Sequence, residues 1–244
     1  MAKLKVDLHT HTGEDPRDVV HYGAIDLIDK AALLGYDAIA ITNHDRVTDD
    51  ERILAHAREK GLLLIPGMEA TLSNKHVVIL NPTRADNFPE RTLNELPELA
   101  DENSLVFAPH PFFPQSKSLK GCFLESISFF HAIEFSHFYT RLLNFNRRAV
   151  QAAEAHSLPL IGTSDCHTLW EFGTTFSLVE AELNAASIIE AVKRGRIELI
   201  TAPLTHWQLA YIILKLSEIK FFQVLPGLKP KLRHSLPDDG ERPS

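Results

Sequence analysis

Short apolar, β-branched runs alternate along the chain with stretches in which apolar residues recur every three or four positions, as far as about residue 200. The runs Leu4–His9, Asp37–Thr42, Leu62–Ile65, His76–Leu80, Leu105–Ala108, Ala132–Phe135, Pro159–Gly162, Thr175–Val179 and Arg196–Ile200 predict strands. The helical patterns between them include Ala24–Leu34, Asp49–Lys60, Thr140–His156 and Ala185–Arg194, and Gly35, Gly61 and Gly195 sit where helix C-caps are expected. Strands separated by helix-length segments imply parallel βα units with the helices outside the sheet. No glycine-rich phosphate loop follows the first strand, which argues against a doubly wound dinucleotide fold. The expectation is a small or distorted α/β barrel over residues 1–203.

Beyond it, Leu209, Ile212, Ile213, Leu216 and Ile219 recur at helical spacing, predicting an amphipathic helix over Thr205–Phe222 within a segment 204–225. It is expected to close the barrel or to form a homodimer face, with a membrane-surface helix as the alternative. Its longest apolar run, Leu209–Leu214, is far too short to cross a bilayer. From Pro226 onward, Pro, Lys, Asp and Gly dominate, predicting a disordered tail over 226–244.

Composition narrows the function. Apolar residues make up 44% of the 244, charged residues 23%, and the net charge is −7, values of an ordinary globular protein. An acidic chain repels long polyanions, so a broad nucleic-acid-binding face is not expected. A small anion at a metal site remains compatible, because a local cation overrides global charge. Two cysteines, Cys122 and Cys166, make no disulfide framework, and Met1–Asp7 lacks a signal-peptide core, so a cytoplasmic enzyme without membrane contact is the expectation.

The 13 histidines are many for this length, and several stand at strand ends. Asp7, His9 and His11 alternate along the first strand, which would put all three on one face, with the imidazoles as a pincer for a metal and Asp7 orienting one of them. His44 follows the second strand in Thr42-Asn43-His44-Asp45, at the end where barrel enzymes build their sites. Glu69 closes the third strand after Pro66-Gly67-Met68, His76 opens the fourth, and His110 stands between Pro109 and Pro111. Asp165 and His167 share a face after the seventh strand, with Cys166 turned away as a buried thiol. Ser164, Asp165 and His167 lack a nucleophile elbow, so a serine triad is a poor reading.

Asp7-x-His9-x-His11, Thr42-Asn43-His44, Gly67-Met68-Glu69, His110-Pro111 and Ser164-Asp165-Cys166-His167, in that order, resemble the signature motifs of the PHP (polymerase and histidinol phosphatase) superfamily over about residues 1–200. The resemblance implies a distorted seven-stranded (β/α)7 barrel and a metal-dependent phosphoric ester hydrolase, either a phosphatase or a phosphodiesterase/exonuclease. It implies two to three divalent ions, Mn, Zn or Fe, and a small phosphorylated substrate or the end of a short nucleic acid. Carried over, His9, His11, Glu69 and Asp165 would hold one metal. Asp15, His44 and His167 would hold a second, with Glu14, Asp18 and His21 competing for the place of Asp15. Glu69 would bridge to a third held by His76 and His110. Asn43 departs from the aspartate usual in the family, which would weaken the tuning of its neighbours.

Three carboxylates against three divalent ions would leave the cluster net positive, which suits a phosphate dianion, and metal-bound water ionises near pH 7. His137, after the next strand, is the candidate general acid, with a structural role as the alternative. Glu134 would anchor a loop, and Arg17, Arg84 and Arg141 are candidate phosphate clamps or plain surface arginines. Two other readings stand beside this one. An amidohydrolase-like barrel also begins with His-x-His but commonly uses a bridging lysine, and no lysine ends a central strand here. A metal-binding regulatory barrel without turnover is the third, disfavoured by the completeness of the ligand set.

Overall fold

A computed structural model describes residues 2–84 and 91–214. Among them, one curled sheet contains nine strands: β1 (Ala2–Thr10), β2 (Ala38–Ile41), β3 (Leu63–Leu72), β4 (Lys75–Leu80), β5 (Leu105–Ala108), β6 (Ala132–Ser136), β7 (Leu160–Thr163), β8 (Thr175–Ala181) and β9 (Ile197–Thr201). Their spatial order is β7-β6-β5-β4-β3-β2-β1-β8-β9. Six helices accompany them: α1 (Ala24–Leu33), α2 (Glu51–Glu59), α3 (Leu96–Leu99), α4 (Gly121–Glu125), α5 (Arg147–His156) and α6 (Ala185–Lys193).

The expected α/β barrel is present, but its sheet is mixed rather than parallel. β1–β2–β3 and β5–β6–β7 are parallel runs, whereas β4 lies antiparallel to both its neighbours and β8 to both of its own. The cause at β4 is local: Ser73 and Asn74, with φ of 49° and 59°, make a two-residue turn that can only return the chain as a hairpin. β3 also runs on to Leu72, well beyond the expected Ile65, so Glu69 sits within the strand rather than at its close. The predicted helix Thr140–His156 begins only at Arg147, because Asn146 ties the preceding loop to β6. Its side chain accepts the Ser136 N–H at 3.0 Å and donates to the Ser136 carbonyl at 2.9 Å.

Leu4, Val6, Leu8, Ala38, Ile65, Val78, Phe107 and Ile161 fill the barrel interior. Outside, α1 and α2 cover β2 through Leu27, Ile28, Ile39, Ile41 and Ile53, while α3, α4 and α5 cover β4 to β6 through Leu96, Phe123, Ile133 and Ala153. The barrel closes where β7 meets β1 and β8. Asp165 N–H donates to the His9 carbonyl at 2.9 Å, and Thr10 bridges to Cys166. Deeper in this seam Ser177 replaces a strand ladder: its Oγ accepts the Gly162 N–H at 2.9 Å and donates to the Gly162 carbonyl at 3.0 Å.

The sequence places a helix after residue 204, and the described part, 206–214, is helical. Among the described residues of the expected apolar face, Ile212 is buried, at 3% exposure, while Ile213 is 51% exposed. Leu216, Ile219 and the tail 226–244 lie outside the described residues. No described helix is long and apolar enough to cross a membrane.

Gly162 has no room for a side chain, since a Cβ there would approach the Phe176 carbonyl oxygen to 2.7 Å. Gly162→Ala is therefore expected to wedge the seam and destabilise the fold by about 1–3 kcal/mol. A urea midpoint equal to that of the wild type would show that the seam is not tight.

Candidate metal centre

The site begins with an irregularity in β1. Asp7 pairs with Ile39 and Thr10 with Ile41, so three steps on β1 face two on β2, the signature of a β-bulge. Leu8 packs into the barrel interior with Leu4 and Val6, and the bulge turns the next residue, His9, inward as well, where its ring meets Phe107 at 6.2 Å. Asp7 consequently does not share the face of His9 and His11, contrary to simple alternation. Its buried carboxylate instead accepts the N–H groups of His9, at 3.3 Å, and Ser164, at 3.2 Å, across the seam. Burial pushes that carboxyl up to about 7 against these bonds. The role expected of Asp7 falls to Glu134, on the inner face of β6. Its Oε1 lies 3.0 Å from His9 Nδ1, leaving Nε2 aimed at the cluster, and it also takes the Thr163 hydroxyl and the His110 N–H.

Glu69, 1% exposed, is the hub. Its Oε2 lies 3.7 Å from His9 Nε2, 3.3 Å from His11 Nε2 and 3.1 Å from His44 Nε2, and its Oε1 lies 2.9 Å from His76 Nδ1 and 3.4 Å from His110 Nε2. His76 reaches this rim only because β4 runs antiparallel; on a parallel strand its first turn would open at the far end of the barrel. Asp165 Oδ1 stands 3.4 Å from His9 Nε2 and 3.3 Å from His11 Nε2, and those two nitrogens are 3.2 Å apart. Donors bound tetrahedrally at zinc-like distances sit about 3.3–3.6 Å from one another, and His9, His11 and Glu69 come near this spacing as they stand, with Asp165 Oδ1 beside both imidazoles. A second observation agrees. Glu69 Oε1 is buried and receives no well-formed hydrogen bond, a costly arrangement unless a cation shares it. The cluster thus points to divalent metal, with further three-ligand groupings at His11, Asp15 and His44, at His11, Asp165 and His167, and at His44, Glu69 and His76.

Of the competitors around Asp15, Glu14 accepts the Ala24 N–H and caps α1, and His21 is exposed. Asp15 and Asp18 both remain beside the cluster. Asp15 Oδ2 meets His11 Nδ1 at 3.1 Å and His44 Nδ1 at 2.9 Å, while Asp18 Oδ2 faces His167 Nε2 at 2.9 Å. The Asn43 side chain clasps Thr12, its Oδ1 accepting the N–H at 3.0 Å and its Nδ2 donating to Oγ1 at 2.9 Å, so amide chemistry suits the place. Arg17 lines the cavity above the cluster and pairs with Asp45 at 2.6 Å, whereas Arg84 and Arg141 are exposed away from it. Cys166 is buried, with its thiol pushed up to about 12.

Charge holds the cluster together. Burial alone would raise the Glu69 carboxyl, yet His76, His44, His9 and His11 keep it well below its ordinary value. Burial likewise opposes charge on His9, but Asp165, Glu134 and Glu69 raise it well above a normal histidine. His110 and Asp165 adopt left-handed backbone, φ 30° and 44°, a conformation uncommon for such residues and frequent where side chains are forced toward a site. His137 is also buried, 4% exposed, and neither ring nitrogen has a hydrogen-bond partner. Glu171 Oε1 lies 4.0 Å from its Nε2, while Glu171 Oε2 holds the His167 and Thr168 N–H groups. Both line a cavity of about 330 Å³ with His44, Glu69 and Asp165.

The barrel thus carries on one rim a His/Asp/Glu cluster whose donor set suits divalent cations. Residues 144–197, which include Asp165 and His167, match the PHP-associated family. An uncharacterized protein of Methanocaldococcus jannaschii is 24% identical over 74% of this chain and 72% of its own length. A two-domain protein from Bacteroides vulgatus, described as containing a predicted PHP-like metal-dependent phosphoesterase, superposes with TM-score 0.63 at 23% identity, over 87% of this chain and 69% of that one. The lesion-specific endonuclease Q of Pyrococcus furiosus superposes with TM-score 0.58 at 16% identity, over 81% of this chain and 57% of that one. Beyond residues 144–197, what the chain shares with these proteins is the fold.

Glu134 escapes a reading by motif, although an acidic residue in the apolar strand Ala132-Ile133-Glu134-Phe135 is its signal. Glu134→Gln keeps the volume and removes the charge behind His9. Metal affinity is expected to fall about 10- to 100-fold with circular dichroism unchanged, read by competition with a chromogenic chelator. Unaltered affinity would remove Glu134 from the centre.

Proposed function

We propose that this chain hydrolyses phosphoesters with two to three divalent ions, Mn, Zn or Fe, held at the rim. His9, His11, Glu69 and Asp165 would hold one, His44 and His167 with Asp15 or Asp18 a second, and His76 and His110 a third shared through Glu69. The convergence of five imidazoles on the Glu69 carboxylate carries the reading. Such ions supply Lewis acidity and an ionised water at neutral pH. The protein's own groups do the rest. Arg17 and Lys117 bring positive charge to the cavity, which favours entry of an anion into an otherwise acidic chain.

His137 is suited to give a proton to the departing oxygen. Its nitrogens are unclaimed and it borders the cluster without joining it. Burial holds its imidazole below the ordinary histidine value, so the negative charge of bound substrate is what keeps the proton there. The small cavity and net charge of −7 favour a phosphomonoester or the end of a short oligonucleotide over a long duplex.

Two outcomes are expected. The Mn-loaded protein turns over p-nitrophenyl phosphate or its bis-ester and loses activity on chelation; metal binding without hydrolysis of either ester would favour a regulatory barrel. His137→Gln lowers kcat about 10²- to 10⁴-fold on alkyl phosphates and much less on p-nitrophenyl phosphate, whose leaving group needs no proton. Equal losses on both would assign His137 a structural role.

A further inference from the structure

The cavity has two kinds of wall. Arg17, Asp18 and His44 are charged or polar members of the lining, whereas Phe113, Phe138 and Ile212 are apolar. Phe138 follows His137 in the chain, with ring centroids 6.3 Å apart. Phe113 lies 6.2 Å from Phe138 and 6.3 Å from His110, with Phe145 5.3 Å behind it. Helix 206–214 adds Ile212 to the lining, and Tyr211 packs at 5.4 Å on Trp170, the residue before Glu171. These apolar residues therefore stand near His137 and Glu171, which are the polar groups beside them.

We propose that Phe113, Phe138 and Ile212 form a leaving-group subsite, so that the chain prefers phosphomonoesters whose alcohol carries an aromatic or similarly flat apolar ring over those of polyhydroxylated sugars. The proposal rests on the hydrolase reading, which sets the leaving oxygen beside His137. In the reaction the oxygen of water bonds to phosphorus and releases a proton to solvent, the bond from phosphorus to the ester oxygen breaks, and the alcohol departs with a proton from His137, which solvent then restores. A ring in this place exchanges water for aromatic and aliphatic contact. A polyol would instead turn hydroxyls against Phe113, Phe138 and Ile212, which offer no hydrogen bond, and such desolvation discriminates against it. A cavity of about 330 Å³ is at the small end for ligand sites and suits a phosphoryl group with one ring.

Benzyl phosphate and glycerol 1-phosphate test this, because both release ordinary alkoxides and differ chiefly in apolarity. The Mn-loaded full chain is expected to show kcat/KM at least tenfold higher for benzyl phosphate. Phe138→Ser and Ile212→Asn, on separate elements, should each shrink that ratio fivefold or more. Calorimetric binding of benzylphosphonate against 3-hydroxypropylphosphonate supplies a readout free of turnover, with the same preference and the same loss in the variants. Preferential benzylphosphonate binding without hydrolysis of either ester would overturn the hydrolase reading and uphold the subsite. Equal binding of the two phosphonates, or a preference untouched by both substitutions, would overturn the subsite even if hydrolysis is brisk.

Discussion

One buried carboxylate sets the terms for this molecule. Glu69 sits at the centre of five imidazoles drawn from β1 and the residue after it, from β4, and from the segments after β2 and β5. An ionised glutamate so deep is tolerable only when positive charge surrounds it, and surrounding it requires the barrel to bring those elements to one rim. The curvature of the sheet, the hairpin at Ser73-Asn74 and the left-handed backbone at His110 and Asp165 all serve that convergence. Electrostatics here is the reason several otherwise unfavourable local conformations persist together.

The layers around the hub differ in what they accomplish. Glu134 and Asp15 approach imidazole nitrogens that face away from Glu69 Oε2, fixing ring orientation. Asn43 and Asp7 act only on backbone and hydroxyl groups, tying Thr12 and Ser164 in place. His137 and Glu171 stand to one side, near enough to border the cluster yet outside its network of imidazoles and carboxylates. In the proposed reaction, binding of cations and handling of a proton would fall to separate side chains.

Much of this is legible in the chain itself, because a strand end with a histidine or carboxylate is a local feature. His9, His11, His44, Glu69, His76, His110, Asp165 and His167 are each visible as residue types at the edges of apolar runs, and the structure brings all of them to one rim. Strand direction is not local. Nothing in His76–Leu80 by itself says that β4 is antiparallel; the information lies in two turn residues before it. The bulge in β1 is equally hidden, since one extra residue changes which side chains share a face without altering the alternating pattern. The pairing of Glu134 with His9, beyond the loop anchoring expected of it, is missed for a related reason: the two stand 125 positions apart, and only closure brings them together.

The seam between β1 and β7 has a final consequence. His9 and His11 belong to one lip of it and Asp165 to the other, so a cation gripped by all three would rivet the first and seventh staves of the barrel. Opening the hoop and releasing the ion would then be one event. The concentration of free metal would set how long the barrel stays shut, and an intact circumference would be the condition for holding any metal there at all.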